Sequence, residues 1–151
     1  MKASSSQYRA ALARAEKAVH DDHRRLEQLV ARLQAVTDPA ALFSAAEVLR
    51  QALIAHFVHE EHPGGFYDSL KVAVPQHREE LAQLMLEHHH ITVAVWRLRH
   101  HARLPAARQE NLRRELFQLV KRLQDHEKRE DEMTREALGT GKAGRQGSRP
   151  A

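Results

Sequence analysis

Residues 112–133 have the sequence LRRELFQLVKRLQDHEKREDEM. Leucines recur at positions 112, 116, 119 and 123, and the same alternating steps of four and three residues continue to His126, Glu130 and Met133. Side chains three and four positions apart lie on one face of an α-helix. The stretch therefore predicts a long helix whose buried face carries an imidazole and, one turn later, a carboxylate.

The same periodicity recurs in three earlier segments of the chain. Four long helices are predicted in all, at residues 5–36, 39–62, 76–103 and 106–138. Asp38 before Pro39 is an expected N-cap, and Pro63 with the two glycines after it, and Pro105, mark the later breaks. Residues 66–76 are expected to be a connector with room for a short turn of helix. Four helices with short connections predict an all-α, up-down-up-down antiparallel four-helix bundle.

The bundle is expected to form a single domain over residues 1–138, since 151 residues suffice for one sizeable core. The last stretch, residues 139–151, has the sequence GTGKAGRQGSRPA and is rich in glycine and basic residues. That composition predicts a disordered tail.

Composition excludes several classes of function. The chain has no cysteine, which rules out disulfides, iron–sulfur clusters, thiolate zinc sites and cysteine nucleophiles. No apolar run approaches the roughly 18 residues of a membrane span, and residues 1–18 lack the apolar core of a signal peptide. We therefore expect a cytoplasmic protein without a membrane segment.

The net charge of +4 raises the question of a nucleic-acid partner. Basic residues alternate with acidic ones along most of the chain, as in KRED at 128–131. Such mixtures are typical of solvated helix faces and not of a concentrated basic patch. We expect no nucleic-acid partner, and the sequence leaves the oligomeric state open.

Histidine is the one extreme of the composition, with 12 residues. One histidine interrupts the apolar stripe in each predicted helix, and in the second and fourth helices a glutamate follows on the same face. These core polar positions are His23, His56, Glu60, His88, His126 and Glu130. A single buried histidine is more often a hydrogen-bonded core residue than a ligand, but four in equivalent positions favour a metal site.

Two carboxylates in an apolar core cost several kcal/mol each unless something neutralises them. Neutral imidazoles do this poorly, whereas a pair of metal cations does it well. Nitrogen and oxygen donors with carboxylates suit iron, manganese or zinc. We expect two metal ions, with iron preferred and manganese or zinc as alternatives.

These motifs resemble those of the hemerythrin-like (HHE cation-binding) family. The resemblance rests on DH at 22–23, HFVHEE at 56–61, EH at 87–88 and HEKRE at 126–130, and it covers about residues 15–136. It implies a non-haem di-iron centre in which the four histidines are terminal ligands. The two glutamates, Glu60 and Glu130, would bridge the irons.

The sequence departs from the oxygen-carrying members of that family at two places. They have a second histidine one turn after the ligand of the third helix, where this chain has Thr92. Their last carboxylate lies five residues after the histidine, which is Asp131 here, so Asp131 is the alternative to Glu130. We prefer Glu130 because it lies on the stripe.

With one imidazole fewer, the centre would keep more coordination positions open. Simple reversible oxygen carriage therefore fits less well than a protein that binds, senses or reacts with oxygen, nitric oxide or peroxide. The alternatives are a di-iron enzyme that detoxifies peroxide or nitric oxide, an iron-sensing or iron-handling module, and a metal-free partner-binding bundle.

Other residues near the stripes are expected to be structural. His20, His59, His62, His89 and His90 flank the core positions and are predicted to lie on the surface or around the site, although His59 and His89 would substitute as ligands if the register slipped. Glu27 is expected to be exposed. The aromatic residues Phe57, Tyr67 and Trp96 are predicted to be core or capping residues.

Overall fold

The computed structural model describes residues 5–105 and 111–140, and within these ranges it is helical with no β-strand. The helices are α1 (Ser5–Ala35), α2 (Pro39–Glu61), α3 (Phe66–Ala73), α4 (Arg78–His101) and α5 (Leu112–Leu138), with a short 3-10 turn at Pro75–His77. The all-α class predicted from the sequence is confirmed.

The predicted breaks between helices lie close to the observed ones. Asp38 is the N-cap of α2, where its carboxylate accepts a hydrogen bond from the backbone N–H of Ala41 at 2.9 Å, and Pro39 takes the first helical position. Gly64 turns the chain after α2 with a φ of 75°, a conformation that costs glycine little.

The connector between α2 and α4 differs from the prediction. It holds an eight-residue helix, α3, and not merely a short turn. Phe66, Tyr67 and Leu70 of this helix are all buried. Burying such side chains stabilises the fold by about 1.5–3 kcal/mol each, which explains why the connector is ordered against the bundle.

The last helix can be compared with its prediction at the C-terminal end, and at the N-terminal end only from residue 111 onward. Residues 106–110, where the prediction begins this helix, lie outside the described residues, and α5 itself starts at Leu112. It ends at Leu138 as predicted, with Gly139 as its C-cap at a φ of 71°. Most of the predicted tail, residues 141–151, also lies outside the described residues.

The four long helices pack around a ring in the order α1, α2, α4, α5, since each contacts the next and α5 contacts α1. Helix α3 packs against all four of them. Two apolar clusters fill the interior, one on each side of the histidine positions. The stripe of α1 shows the division, because Val19 belongs to one cluster and Leu26 to the other, with His23 between them.

Helix α2 is the one described helix that is long and apolar enough, by length and composition, to cross a membrane. Its buried face carries Leu49 and Leu53 together with His56 and Glu60. A core helix of a soluble protein passes the same test, so this finding leaves the cytoplasmic location a prediction.

Candidate metal centre

All six core polar positions predicted from the sequence are buried and lie together. Each has at most 5% of its surface exposed, although each carries an ionisable group. They come from four different helices: His23 from α1, the pair His56 and Glu60 from α2, His88 from α4, and the pair His126 and Glu130 from α5. The centre therefore lies on the axis of the ring, between the two apolar clusters.

Within α2 and α5 the imidazole and carboxylate four residues apart are in contact. Nε2 of His56 lies 3.0 Å from Oε1 of Glu60, and Nε2 of His126 lies 3.1 Å from Oε1 of Glu130. This is the outcome expected for side chains one helical turn apart.

The imidazole–carboxylate contacts between different helices are about as short as those within α2 and α5. Nε2 of His23 lies 3.2 Å from Oε2 of Glu130, and Nε2 of His88 lies 3.1 Å from Oε2 of Glu60. Each glutamate thus faces imidazoles from its own helix and from another helix. All four imidazoles turn the same ring nitrogen, Nε2, toward the carboxylates.

These donors form two overlapping groups, and within each group one ligand atom per residue lies within 4.8 Å of all the others. The first group is His23, His56, Glu60 and Glu130; the second is Glu60, His88, His126 and Glu130. Each group could hold a metal ion. Because both glutamates belong to both groups, two ions held there would share their carboxylates.

The six side chains do not fully satisfy one another's hydrogen-bonding groups, and a cation would satisfy them better. Among residues 5–105 and 111–140, several of their buried atoms have no hydrogen-bond partner. They are Nε2 of His23 and His56, both carboxylate oxygens of Glu60, and Oε2 of Glu130. Unsatisfied buried polar atoms cost about 1–3 kcal/mol each. A metal ion between them would remove that cost.

The imidazoles and carboxylates of the cluster shift one another's pKa values. Burial opposes protonation of His23, but Glu130 and Glu60 raise its pKa to about 10. In the same way, burial opposes protonation of His88, yet the two glutamates raise its pKa to about 9. Burial and the charge of Glu130 oppose ionisation of Glu60, but the surrounding imidazoles lower its pKa to about 2. Protons therefore balance the carboxylates where no cation does.

The outer nitrogens of three imidazoles face further carboxylates. Nδ1 of His56 lies 3.3 Å from Oδ2 of Asp22, and Nδ1 of His126 lies 3.0 Å from Oε2 of Glu87. Nδ1 of His88 contacts Oε1 of Glu61. No role was predicted for these acids, although each is adjacent in sequence to one of the six buried residues.

The two candidate carboxylates of α5 have different positions. Glu130 is 1% exposed and lies among the imidazoles. The side chain of Asp131 is 53% exposed and lies 4.0 Å from Nδ1 of His23, on the outer side of that ring. The arrangement favours Glu130 as the inner donor.

Tyr67 is a functional candidate that sequence reasoning missed. Its hydroxyl lies 2.9 Å from Nε2 of His88 and donates a hydrogen bond to Oε1 of Glu130. Burial, followed by the charges of Glu130 and Glu60, raises the pKa of the phenol, which therefore stays protonated. Tyr67 is in the core, as expected, but no periodic pattern in the sequence connects it to the four helices or predicts its contact with the cluster.

Two further residues adjoin the centre. The ring of Phe57 stacks on the ring of His88 with a centroid distance of 3.9 Å. Glu127 on α5 is partly buried, and among the described residues its buried Oε1 has no hydrogen-bond partner. Burial raises the pKa of Glu127 to about 7. Phe57 is in the core as expected, and Glu127 is a second residue that the sequence analysis missed.

The flanking residues lie mostly where the sequence predicts. Glu27 is exposed. The five flanking histidines are exposed as well: His20, His59, His62, His89 and His90. The prediction for Trp96 is wrong, because this residue is 50% exposed. Its ring stacks on that of His100, at the next turn of α4, with a centroid distance of 5.4 Å.

A groove of about 480 Å³ between α2 and α4 reaches the edge of the centre. Its lining includes Phe57, Met85 and Thr92 together with Glu61 and His88. Thr92 lies on α4 one turn after His88, and its hydroxyl donates to the backbone carbonyl of His88 at 2.7 Å. A small molecule in this groove would meet the His88 side of the cluster.

No protein-family model matches the chain, and no curated protein and no solved structure matches it either. What the six residues bind is therefore inferred from their geometry and chemistry.

Proposed function

We propose that the chain is a non-haem di-iron protein of the hemerythrin-like kind, built as an up-down-up-down four-helix bundle. The observation that carries this proposal is the pair of buried donor groups that share Glu60 and Glu130. Apolar surroundings and unsatisfied donor atoms make a pair of cations the best counterpart for them. The family motifs at 56–61 and 126–130 support the same assignment.

In this proposal each iron takes two imidazoles. One would be held by His23 and His56, the other by His88 and His126, and the two glutamates would bridge them. The nitrogen and carboxylate oxygen donors suit iron, manganese and zinc alike, and iron is preferred because the resemblance is to iron proteins. Bound iron would supply Lewis-acid and redox chemistry that the side chains lack.

The chain is proposed to bind, sense or react with a small molecule such as oxygen, nitric oxide or peroxide. The groove beside His88 supports access for a ligand of that size. Thr92 borders the groove where an oxygen carrier would have a further imidazole, so a position there would remain open. The apolar clusters on both sides would exclude bulk water from the centre.

A second candidate function is enzymatic removal of peroxide or nitric oxide. It is favoured by the position of Tyr67, whose hydroxyl lies 2.9 Å from Nε2 of His88 and would serve as a hydrogen-bond donor to a ligand held at the centre. Peroxide consumption by the iron-loaded chain would distinguish this function from simple binding or sensing. A stable, reversible adduct with oxygen would instead favour a carrier.

The test is metal analysis with an optical spectrum of protein purified from iron-replete cells. We expect about two irons per chain and an absorption band typical of an oxo-bridged ferric pair. The Glu60→Ala variant should lose both the iron and the band. A metal-free wild-type chain whose stability is unchanged by chelator would overturn the proposal and favour a partner-binding bundle.

A further inference from the structure

The outer carboxylates follow a regular order around the ring of helices. Asp22 of α1 faces His56 of α2 at 3.3 Å, and the same oxygen, Oδ2, also contacts Nδ1 of the exposed His59 at 2.9 Å. The next helix repeats the arrangement, since Glu61 of α2 contacts Nδ1 of His88 on α4. An acid on one helix is thus in contact with the imidazole of the following helix.

The last two steps around the ring are unequal. Glu87 of α4 lies 3.0 Å from Nδ1 of His126 on α5, and Arg129 donates a hydrogen bond to the same carboxylate. Asp131 of α5 is only within 4.0 Å of Nδ1 of His23 on α1, and it is half exposed. Three of the four steps are therefore close contacts, and the fourth is loose.

A carboxylate at Nδ1 of a histidine affects how the other ring nitrogen, Nε2, binds a metal. When Nδ1–H donates to a carboxylate, the ring is held in the tautomer that leaves the Nε2 lone pair free for a metal. The same hydrogen bond fixes the ring plane and raises the basicity of Nε2. In this chain Nε2 is the nitrogen that faces Glu60 and Glu130 in every one of the four rings.

We propose that Asp22, Glu61 and Glu87 are positioning residues of the metal centre, each orienting the ligand imidazole of the next helix around the ring. Asp131 is the corresponding acid for His23, but it contributes little to the orientation of that imidazole. This inference rests on the proposed function, since it concerns how the same donors are held. It also couples metal binding to helix packing, because each contact joins two helices.

Isosteric variants test the inference without opening cavities. Asp22→Asn, Glu61→Gln and Glu87→Gln each keep the shape of the side chain but remove its charge. Metal is first removed from each protein with a chelator, which gives the chelated protein. The chelated proteins are then titrated with Fe(II) under anaerobic conditions in competition with a chromophoric indicator. Each of the three variants should bind iron roughly 10–100-fold more weakly than wild type, while Asp131→Asn should change the affinity by less than about threefold.

The matched control is Glu115→Gln. Glu115 of α5 contacts Nδ1 of His101 on α4 at 2.8 Å, so it is the same kind of interhelical pair, but it lies away from the centre. This variant should bind iron as wild type does. Melting temperatures of the chelated variants separate positioning from a structural role, because a purely structural acid would lower them without a selective loss of iron.

A second readout is the reduction potential of the iron-loaded protein, which should become more positive when Glu61 or Glu87 loses its charge. If Glu87→Gln does not fold, Glu87→Asp replaces it: the shorter side chain withdraws the carboxylate from Nδ1 of His126 and should weaken iron binding in the same direction by a smaller factor. Wild-type iron affinity and potential in both the Glu61 and Glu87 variants would overturn the inference while leaving the metal centre intact. A wild-type chain that binds no iron would instead overturn the proposed function.

Discussion

The hydroxyl oxygen of Tyr67 lies 2.9 Å from Nε2 of His88. The same hydroxyl donates a hydrogen bond to Glu130, so a residue of the short helix α3 contacts donors of both α4 and α5. Without a cation, this phenol is one of the groups that stabilise the buried charge of Glu130. A cation beside Glu130 would take over much of that role.

Tyr67→Phe should therefore have an effect that depends on metal. In the chelated protein the loss of a hydrogen bond to a charged group should lower the free energy of unfolding by about 1.5–3 kcal/mol. In the metal-loaded protein the loss should be smaller. Urea denaturation in both states measures it, with Tyr8→Phe as a control because Tyr8 is 40% exposed. Equal losses in both states would count against a link between Tyr67 and metal.

The shared carboxylate Glu60 should be needed for both metal ions. Glu60→Ala removes a donor from both groups, and we expect it to abolish stoichiometric binding of either ion. His126→Ala removes a donor from one group and should lose metal as well. His90→Ala is the control, since His90 is exposed and should leave the metal content unchanged. Full metal content in Glu60→Ala and His126→Ala, measured by elemental analysis, would refute the ligand assignment.

The neighbouring acids of α5 provide a sharp pair of variants. Glu130→Ala should lose metal, because its carboxylate is buried among the imidazoles of both groups. Asp131→Ala should retain about two ions per chain, because that side chain is half exposed and lies outside the cluster. Both variants are loaded in parallel and analysed for metal. The reverse outcome would make Asp131 the inner carboxylate.

Metal binding should release protons and strengthen as pH rises. The raised pKa values of His23 and His88, about 10 and about 9, mean that both imidazoles are protonated near neutral pH in the chelated protein. A cation must displace those protons to bind. Calorimetric titrations in buffers of different ionisation enthalpy measure the number released. Binding that is independent of pH between 6 and 9 would contradict this expectation.

The chelated protein should show the opposite trend in stability. A histidine whose pKa is raised from 6.5 stabilises the fold below that value, and the contribution is lost as pH rises toward 9 and 10. The pKa of Glu60 is lowered from 4.5 to about 2, so its contribution is present above pH 4.5 and is lost as pH falls toward 2. Thermal unfolding should therefore give a maximum between pH 4.5 and 6.5. A chelated protein that becomes more stable from pH 6.5 to 9 would show that these pairs do not form.

Much of the fold and the inner cluster follows from periodicity. Steps of three and four residues define which face of each helix is buried, so the positions of His56, Glu60, His126 and Glu130 in the core were predictable from the sequence. Periodicity also distinguished Glu130 from Asp131, because a shift of one residue turns a side chain about 100° around the helix axis.

Contacts between helices were less predictable. Tyr67 belongs to a helix that follows a proline and two glycines, so its register is independent of the long helices. The outer contacts of Asp22 and Glu87 depend on the rotation and tilt of neighbouring helices, which a single helical pattern does not encode. Trp96 was wrongly expected in a core or capping position, although the 3.6-residue period of α4 already turns it away from the buried Val95 and Leu98.

We propose that Glu60 and Glu130 hold two metal ions between four imidazoles. Its most direct test is an anaerobic Fe(II) titration of the chelated wild-type chain, followed through both bound iron and melting temperature. We expect saturation at about two irons per chain and a melting temperature that rises with loading. A chain that binds no iron at saturating concentration, with the same melting temperature before and after addition, would contradict it.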